Sequence, residues 1–246
     1  MWEFCLYFEQ GQLNYILKLR KHLKRFLKKH RGAVVLYEDG GKILFAIDDN
    51  EKVFIRFYKY IYNYIVSIIY SYYKKEILNS LNSNLFNNEI FELVIKETLF
   101  CFDEEYDKNL IKEALVLDES LNLEGFFNFK LKHLKEKWIH LVELIKTNAG
   151  VLNSYEINLD LTRYLISELN NNIEKVCLFS DGNKYFLKTT NNENVKFKQI
   201  NFSKKQKFNE LIKSLVILSP KNIILCGEIE KEHFNIFKDL FIDKLA

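Results

Sequence analysis

The spacing of hydrophobic residues predicts strands at both ends of the chain and helices between them. Short apolar runs near the N-terminus predict three strands, at Glu3–Phe8, Ala33–Tyr37 and Lys42–Ile47. The last two flank Glu38–Gly41, a turn sequence typical of a hairpin. Apolar residues recur every three or four positions from Gln12 to His30, as on a helix with one buried face. Asp48–Asn50 can cap a further long helix, so residues 1–88 are predicted to form a β-α-β-β-α unit.

The second segment, residues 89–170, is predicted to be helical. Its longest helix is expected over residues 123–146, where a continuous apolar stripe is formed by Phe127, Leu131, Leu134, Trp138, Leu141 and Ile145. Residues 171–246 return to strands, with a second hairpin around Ser180–Asn183 followed by a helix, a strand and a closing helix. The predicted fold class is therefore α+β, with small mixed units at both ends and a helical middle. The polar run Asn82–Asn88 is the best linker candidate, although the segments could also form one compact body.

Composition favours a water-soluble globular protein and argues against disorder. Of the 246 residues, 48% are hydrophobic and 28% are charged, and a single proline leaves long helices uninterrupted. The apolar stretch Tyr60–Tyr73 is shorter than the roughly 20 residues that a membrane span needs, and its periodicity fits a buried helix. The four cysteines form no CxxC pair, which predicts buried, reduced thiols in a cytoplasmic protein.

No established catalytic or metal-binding motif is present in the sequence. The acidic run Asp103–Asp107 lacks the spacing of a calcium loop and is better explained by the dipole of the helix that it begins. Cys226 and His233 could form a nucleophilic pair, but a lone cysteine at the end of an apolar strand is more typical of a core. His133 and His140 have no evident third ligand. We therefore predict no catalytic, cofactor-binding or metal-binding residue.

The aromatic segment Leu121–Trp138 has two interpretations. Its polar residues among phenylalanines could form a groove for a ligand or a peptide. Alternatively, its aromatic rings fill a core and Glu124 caps its own helix, which is the interpretation we favour. The candidate surface residues of this segment are Glu124, Phe126, Asn128 and Lys130.

A strongly basic helix is predicted over residues 18–31, which hold eight Lys or Arg and no acidic residue although the net charge of the chain is only +3. Such a face can bind phosphates or an anionic membrane surface. It can also be simply solvated, or paired with acidic residues of the same chain, and this is the interpretation we favour. The candidate contacts are Lys24, Arg25, Lys28 and Lys29.

Leu121–Trp138, together with Phe102–Tyr106 and Ser219–Leu225, resembles the YtxC family of sporulation proteins from endospore-forming bacteria. The resemblance implies a link to endospore formation and carries neither an activity nor residue roles. We therefore expect a non-enzymatic, cytoplasmic binding or scaffold protein that acts through a protein partner or a homo-oligomer. The alternative is a protein that binds nucleic acid or another anionic surface through residues 18–31.

Overall fold

A computed structural model describes residues 1–81, 86, 88–148, 154–169, 173–181, 185–190, 197–198 and 204–245 of the chain. Strands lie towards both ends and helices lie between them, which confirms the predicted α+β class. The chain divides into two compact units, Met1–Ile77 with Asp103–Val142, and Leu78–Phe102 with Glu143–Ala246. This division differs from the predicted boundaries at 88 and 170, because each unit takes part of the helical middle.

The first half of the chain contains, in order, β1 (Trp2–Tyr7), a 3-10 turn (Gln10–Gln12), α1 (Leu13–Leu27), β2 (Gly32–Tyr37), β3 (Lys42–Ile47), α2 (Glu51–Ile68), a π-helical turn (Ile69–Tyr73), α3 (Lys74–Leu78), α4 (Glu89–Cys101), α5 (Glu104–Ala114) and β4 (Ser120–Asn122). The second half contains α6 (Leu123–Gly125), a π-helical turn (Phe126–Lys130), α7 (Lys132–Thr147), α8 (Tyr155–Ser167), β5 (Ile173–Asp181), β6 (Tyr185–Thr190), β7 (Phe197–Lys198), α9 (Lys204–Leu218), β8 (Pro220–Glu228), α10 (Lys231–Phe241) and a 3-10 turn (Ile242–Lys244).

The N-terminal unit is built on a four-stranded sheet in the order β2-β3-β1-β4. The predicted hairpin is confirmed: β2 and β3 are antiparallel, with Val34 opposite Phe45. β1 is antiparallel to β3, and β4 runs parallel to β1. Alternate residues of β1 and β3 face the core, as the period of two requires. The apolar face of α1 is also buried, as predicted, through Ile16, Leu19, Leu23 and Leu27.

The prediction that residues 89–170 are helical is wrong in detail at two places. α5 ends at Ala114, and the chain then forms the short strand β4, whose three residues are too few for the alternating pattern that predicts a strand. The helix expected over residues 123–146 is not continuous, because Phe126–Lys130 forms a π-helical turn and Leu131 leaves helical geometry. A π-helical turn holds an extra residue, so Phe126 and Phe127 both reach the core while α7 still buries Leu134 and Trp138.

A buried ion pair links three helices of the N-terminal unit. Asp107 on α5 and Lys74 on α3 are 0% and 1% exposed, and their charged atoms lie 2.9 Å apart. Asp107 also accepts hydrogen bonds from Lys137 Nζ and Trp138 Nε1, both at 2.8 Å, on α7. Removing a carboxylate from water is costly unless donors replace the water. Here three donors from two other helices do so.

The C-terminal unit has its own four-stranded sheet, in the order β7-β6-β5-β8. β5 and β6 are antiparallel, which confirms the second hairpin, and β5 and β8 are parallel. Its core combines these strands with α9 and α10 through Val176, Leu178, Leu187, Leu211, Ile212, Leu215, Ile223 and Phe237. Most of the predicted linker Asn82–Asn88 and part of the turn Ser180–Asn183 lie outside the described residues.

We expect Asp107→Asn to lower the free energy of unfolding by about 3–5 kcal/mol, because it leaves the Lys74 ammonium buried without a carboxylate. The matched control is Asp103→Asn, since Asp103 contacts the same Lys137 Nζ at 2.8 Å but is partly exposed. Its cost should stay within about 1 kcal/mol. Urea unfolding followed by circular dichroism measures both, and equal costs would contradict a special role for Asp107.

Candidate functional site

In the aromatic segment, Phe129 is exposed to solvent, whereas the sequence predicts Phe126 as the candidate surface ring. Phe126 is only 7% exposed, whereas Phe129 is 82% exposed. Glu124 and Lys130 are exposed and Asn128 is half-buried. The π-helical turn accounts for this arrangement, because it directs two consecutive phenylalanines inward and leaves the third on the surface.

The buried part of the aromatic segment packs a core. The ring of Phe127 stacks on Tyr73 with centroids 4.0 Å apart, and its centroid lies 5.8 Å from that of Trp138. The helix cap is Asn122, whose Oδ1 accepts from the Gly125 N–H at 2.8 Å. The expectation that Glu124 caps this helix is therefore wrong.

Glu124 instead belongs to a polar cluster beside the 3-10 turn. Its hydrogen bond with Glu9 is the main cause that raises the pKa of the Glu9 carboxyl. The buried Gln12 next to it accepts from the Glu9 N–H at 3.0 Å and donates to the Tyr73 hydroxyl at 2.8 Å. Burial raises the pKa of Tyr73, so that hydroxyl stays protonated.

This polar cluster can share a proton between two carboxyls, but it does not form a metal centre. Asn128 donates to Glu124 at 3.5 Å and accepts from Lys135 at 2.8 Å, so the Glu124 side of the cluster already has polar partners. Across the described part of the chain, no group of three or more His, Cys, Asp or Glu side chains is arranged to hold a metal ion.

The cations of α1, with Lys28 and Lys29 directly after it, form a continuous exposed face. Ile16, Leu19, Leu23 and Leu27 point into the core, and the opposite side carries Lys18, Lys21, Arg25, Lys28 and Lys29, all exposed. The first four of these cations follow one another at steps of three, four and three residues, which places them in one row along a helix. Lys24 is also exposed and lies at the side of this row. We call these six residues the basic face.

The basic face is not neutralised within the described part of the chain. None of its six cations lies within ion-pair distance of a described carboxylate, in contrast to Lys74, Lys96, Lys108 and Lys137 elsewhere. Of the two explanations that the sequence favoured for these charges, intramolecular pairing is therefore not found there. The positive charges point into solvent.

Two acidic residues lie close to the end of α1. An open cleft of about 590 Å³ is lined by Lys28, Lys29, His30, Arg31, Asp48, Asp49 and Asn50. In it, His30 Nδ1 lies 3.1 Å from Asp49 Oδ2, and hydrogen bonds, first from the Asn50 N–H, lower the pKa of Asp49. Asn50 caps α2 by accepting from the Val53 N–H at 3.1 Å, as predicted. Lys28 and Lys29 of the basic face thus share this cleft with two acidic residues, although neither forms an ion pair with them.

The possible nucleophilic pair is not assembled. His233 Nδ1 lies 2.6 Å from the Tyr185 hydroxyl, and its ring stacks on Phe208 at 3.9 Å between centroids. Cys226 is partly exposed, as are the other three cysteines, so the expectation of buried thiols is wrong. For Cys5 the reason is its position on β1, where it lies on the solvent side of the strand between the buried residues Phe4 and Leu6.

No protein-family model matches the chain, and neither a curated protein nor a solved structure shows significant similarity to it. The resemblance to the YtxC family therefore stays a prediction. Among the helices of the described residues, none combines the length and the apolar character that crossing a bilayer requires.

The two neighbouring phenylalanines allow packing and surface roles to be separated. We expect Phe127→Ala to lower the free energy of unfolding by about 3–5 kcal/mol, because it removes a ring stacked in the core. Phe129→Ala should change it by less than about 0.5 kcal/mol, because that ring is in solvent. Chemical denaturation measures both variants. A large cost for Phe129→Ala would show that this ring is also part of the folded core.

The Glu9–Glu124 pair predicts a pH dependence of stability. Because the folded chain holds the shared proton more tightly than the unfolded one, the unfolding free energy falls as the pH rises above 4.5, the ordinary pKa of Glu9. Glu9→Gln removes this loss. The difference in melting temperature between variant and parent should therefore increase from about pH 4 to about pH 7.

The control for this pair is Glu3→Gln, an exposed carboxylate on β1. Its melting temperature should differ from that of the parent by a constant amount over the same pH range. A pH-independent difference for Glu9→Gln as well would contradict proton sharing.

Proposed function

We propose that this chain is a non-enzymatic binding protein that holds nucleic acid by its phosphate backbone through the basic face of α1. The observation that supports this most strongly is the row of exposed cations without a carboxylate partner among the described residues. Cations that a protein does not neutralise internally raise the local concentration of an anionic ligand and displace its counterions on binding.

The dimensions of the basic face suit a phosphate backbone. Lys18 and Lys28 are ten positions apart, which corresponds to about 15 Å along a helix. Duplex DNA carries one phosphate per roughly 3.4 Å of axis on each strand, so a row of this length can follow several phosphates. An extended polyanion such as a phosphate backbone is thus a better match than a single small anion, which would engage only one or two of these side chains.

A membrane surface is a weaker candidate because α1 has no apolar side left to insert. Helices that bind membranes lie in the interface with their apolar face buried among the lipids. The apolar face of α1 is already in the core, where Ile16 and Leu19 are fully buried. Only electrostatic attraction would remain for a membrane.

Base-specific readout is not supported by the residue types of the basic face. The commonest specific base contact is made by Arg or Lys to guanine in the major groove, and Arg makes it as a rigid, bidentate fork. Arg25 is the only arginine among the six cations, and the remaining five are lysines. We therefore propose binding that is largely independent of sequence.

The resemblance to the YtxC family supports placing this binding in the cytoplasm of an endospore-forming cell. A scaffold that acts through protein contacts is the second candidate. The observation that favours it is Phe129, an aromatic ring that is 82% exposed on the aromatic segment. Isolated exposed rings are common on protein surfaces, whereas the fold does not account for a row of exposed cations without a carboxylate partner among the described residues.

The test is fluorescence anisotropy of a labelled, mixed-sequence duplex of about 20 base pairs at several salt concentrations. We expect the logarithm of the association constant to fall with the logarithm of salt concentration with a slope of about −4 for four to five phosphate contacts. The triple variant Lys21→Glu, Arg25→Glu and Lys28→Glu should abolish binding. The same charge change at Lys112, Lys130 and Lys132, which lie on or near other helices, is the control and should weaken binding little.

Vesicles containing phosphatidylserine provide the competing arm of this experiment. If the chain binds vesicles more tightly than DNA and the triple variant loses this binding, the ligand of the basic face is an anionic membrane and not nucleic acid. If the chain binds neither ligand in a salt-dependent way, the proposed role of the basic face is overturned. The remaining candidate function is then a scaffold that acts through protein contacts. Equal losses in the α1 variant and its control would show a general charge effect.

A further inference from the structure

Strand β2 ends the N-terminal sheet, and no other strand of the described residues pairs with its outer edge. Its sequence is Gly-Ala-Val-Val-Leu-Tyr, without a charged residue or a proline. Val34 and Leu36 remain partly exposed, although Ile43 and Phe45, opposite them on β3, are fully buried. The outer edge of β2 is therefore unpaired by any described strand, although the residues of β2 are typical of a strand inside a sheet.

The hydrogen bonds of the sheet show which residues face this edge. Arg31 C=O accepts from the Asp48 N–H, and Gly41 C=O accepts from the Phe8 N–H. Hydrogen-bonded and non-hydrogen-bonded pairs alternate along antiparallel strands. Both bonds lead to the same assignment: Ala33, Val35 and Tyr37 bond to β3, and the N–H and C=O groups of Gly32, Val34 and Leu36 point away from the sheet.

Open edges of this kind are normally protected. Proteins place charges, prolines or covering segments along edge strands, because an unpaired edge binds other strands. The other sheet shows such protection: its edge strand β8 carries Lys221 and Glu228, and Ile223 forms a bridge with Leu245. β2 carries none of these devices within its length.

The two ends of β2 have opposite charges. Lys28, Lys29 and Arg31 precede the strand, and Glu38 and Asp39 follow it, all with exposed side chains. No ion pair joins Glu38 or Asp39 to another described residue. In a second copy placed antiparallel to β2, the acidic end would meet the basic end of the first copy, and its basic end would meet the acidic end of the first copy. A parallel copy would place like charges together.

We propose that β2 pairs antiparallel with β2 of a second copy of this chain, which joins two N-terminal sheets into one. The outward groups of Gly32, Val34 and Leu36 set the register: Val34 faces Val34 of the second copy, and Gly32 faces Leu36. The two-fold axis then passes at Val34. The partly exposed side chains of Val34 and Leu36 become covered, and the charged ends meet on both sides of the axis.

The first test is the mass of the native chain in solution, measured by light scattering during size-exclusion chromatography. We expect a concentration-dependent dimer with twice the 29.5 kDa mass of the chain. Val34→Pro removes an N–H that only the second copy uses, so it should weaken the dimer about tenfold or more and leave the β2–β3 pairing intact. Circular dichroism confirms that the variant is folded.

A charge exchange tests the antiparallel arrangement without altering the strand. Glu38→Lys with Asp39→Lys gives one variant, and Lys29→Glu with Arg31→Glu gives the other. Each variant alone should be a monomer, because both of its charged contacts become repulsive. A mixture of the two should form a heterodimer, because both contacts are again complementary. The heterodimer also shows that each variant is folded.

Three outcomes overturn the proposal. They are a monomeric native chain at all concentrations, a dimer that Val34→Pro leaves unchanged, and charge variants that dimerise alone as well as they do when mixed. If the purified chain stays monomeric and a mixed lysate yields a foreign protein on this edge, the first of these outcomes holds and that protein is the occupant of the edge. None of these readouts depends on nucleic-acid binding, so this inference and the proposed function can fail separately.

Discussion

The buried carboxylate of Asp107 is the constraint on which the N-terminal unit depends. It can be ionised in the core only if donors replace its water, and those donors come from Lys74 on α3 and from Lys137 and Trp138 on α7. The relative positions of α3, α5 and α7 are therefore fixed by one charged group. The π-helical turns before Lys74 and before α7 fit this view, because each shifts the register of the helix that carries the donors.

The same constraint explains why the aromatic segment is so distinctive in the sequence. Trp138 donates to Asp107 and lies next to Phe127, which in turn stacks on Tyr73, the residue before Lys74. The rings thus surround an ion pair and keep water away from it, which strengthens the attraction between the charges. Within this segment, the buried side chains serve packing, and a binding role is left to exposed residues such as Phe129.

The sequence predicted the parts of the fold that follow from periodicity and turn chemistry. Both hairpins, the buried face of α1 and the cap at Asn50 are of this kind. It could not predict the break at Leu131, because a π-helical turn depends on which rings fit the core rather than on local preference. The sequence does not single out Lys74, and it assigns Asp107 to the dipole of a helix start, because only their distant partners show that both are buried. The apolar spacing of Ile61, Ile65 and Ile69 would continue to position 72 or 73, and the π-helical turn Ile69–Tyr73 brings Lys74 into the core instead.

The basic face could be found from the sequence, but its meaning could not, because charge pairing is a property of tertiary structure. With the fold in hand, α1 and β2 become parts of one arrangement: the helix with its cations leads directly into the strand with the open edge. Pairing two copies through β2 would join their sheets into one. It would also hold the two basic faces, which lie on the α1 helices, at a fixed separation. Lys28 and Lys29 lie at the charged contacts of this dimer, so the cations left for phosphates on each copy are Lys18, Lys21, Lys24 and Arg25. A phosphate backbone bound by these cations of one copy would then meet those of the second at a high effective concentration. Weak lysine–phosphate contacts, each easily screened by salt, would in this way add up to stable binding without any base readout.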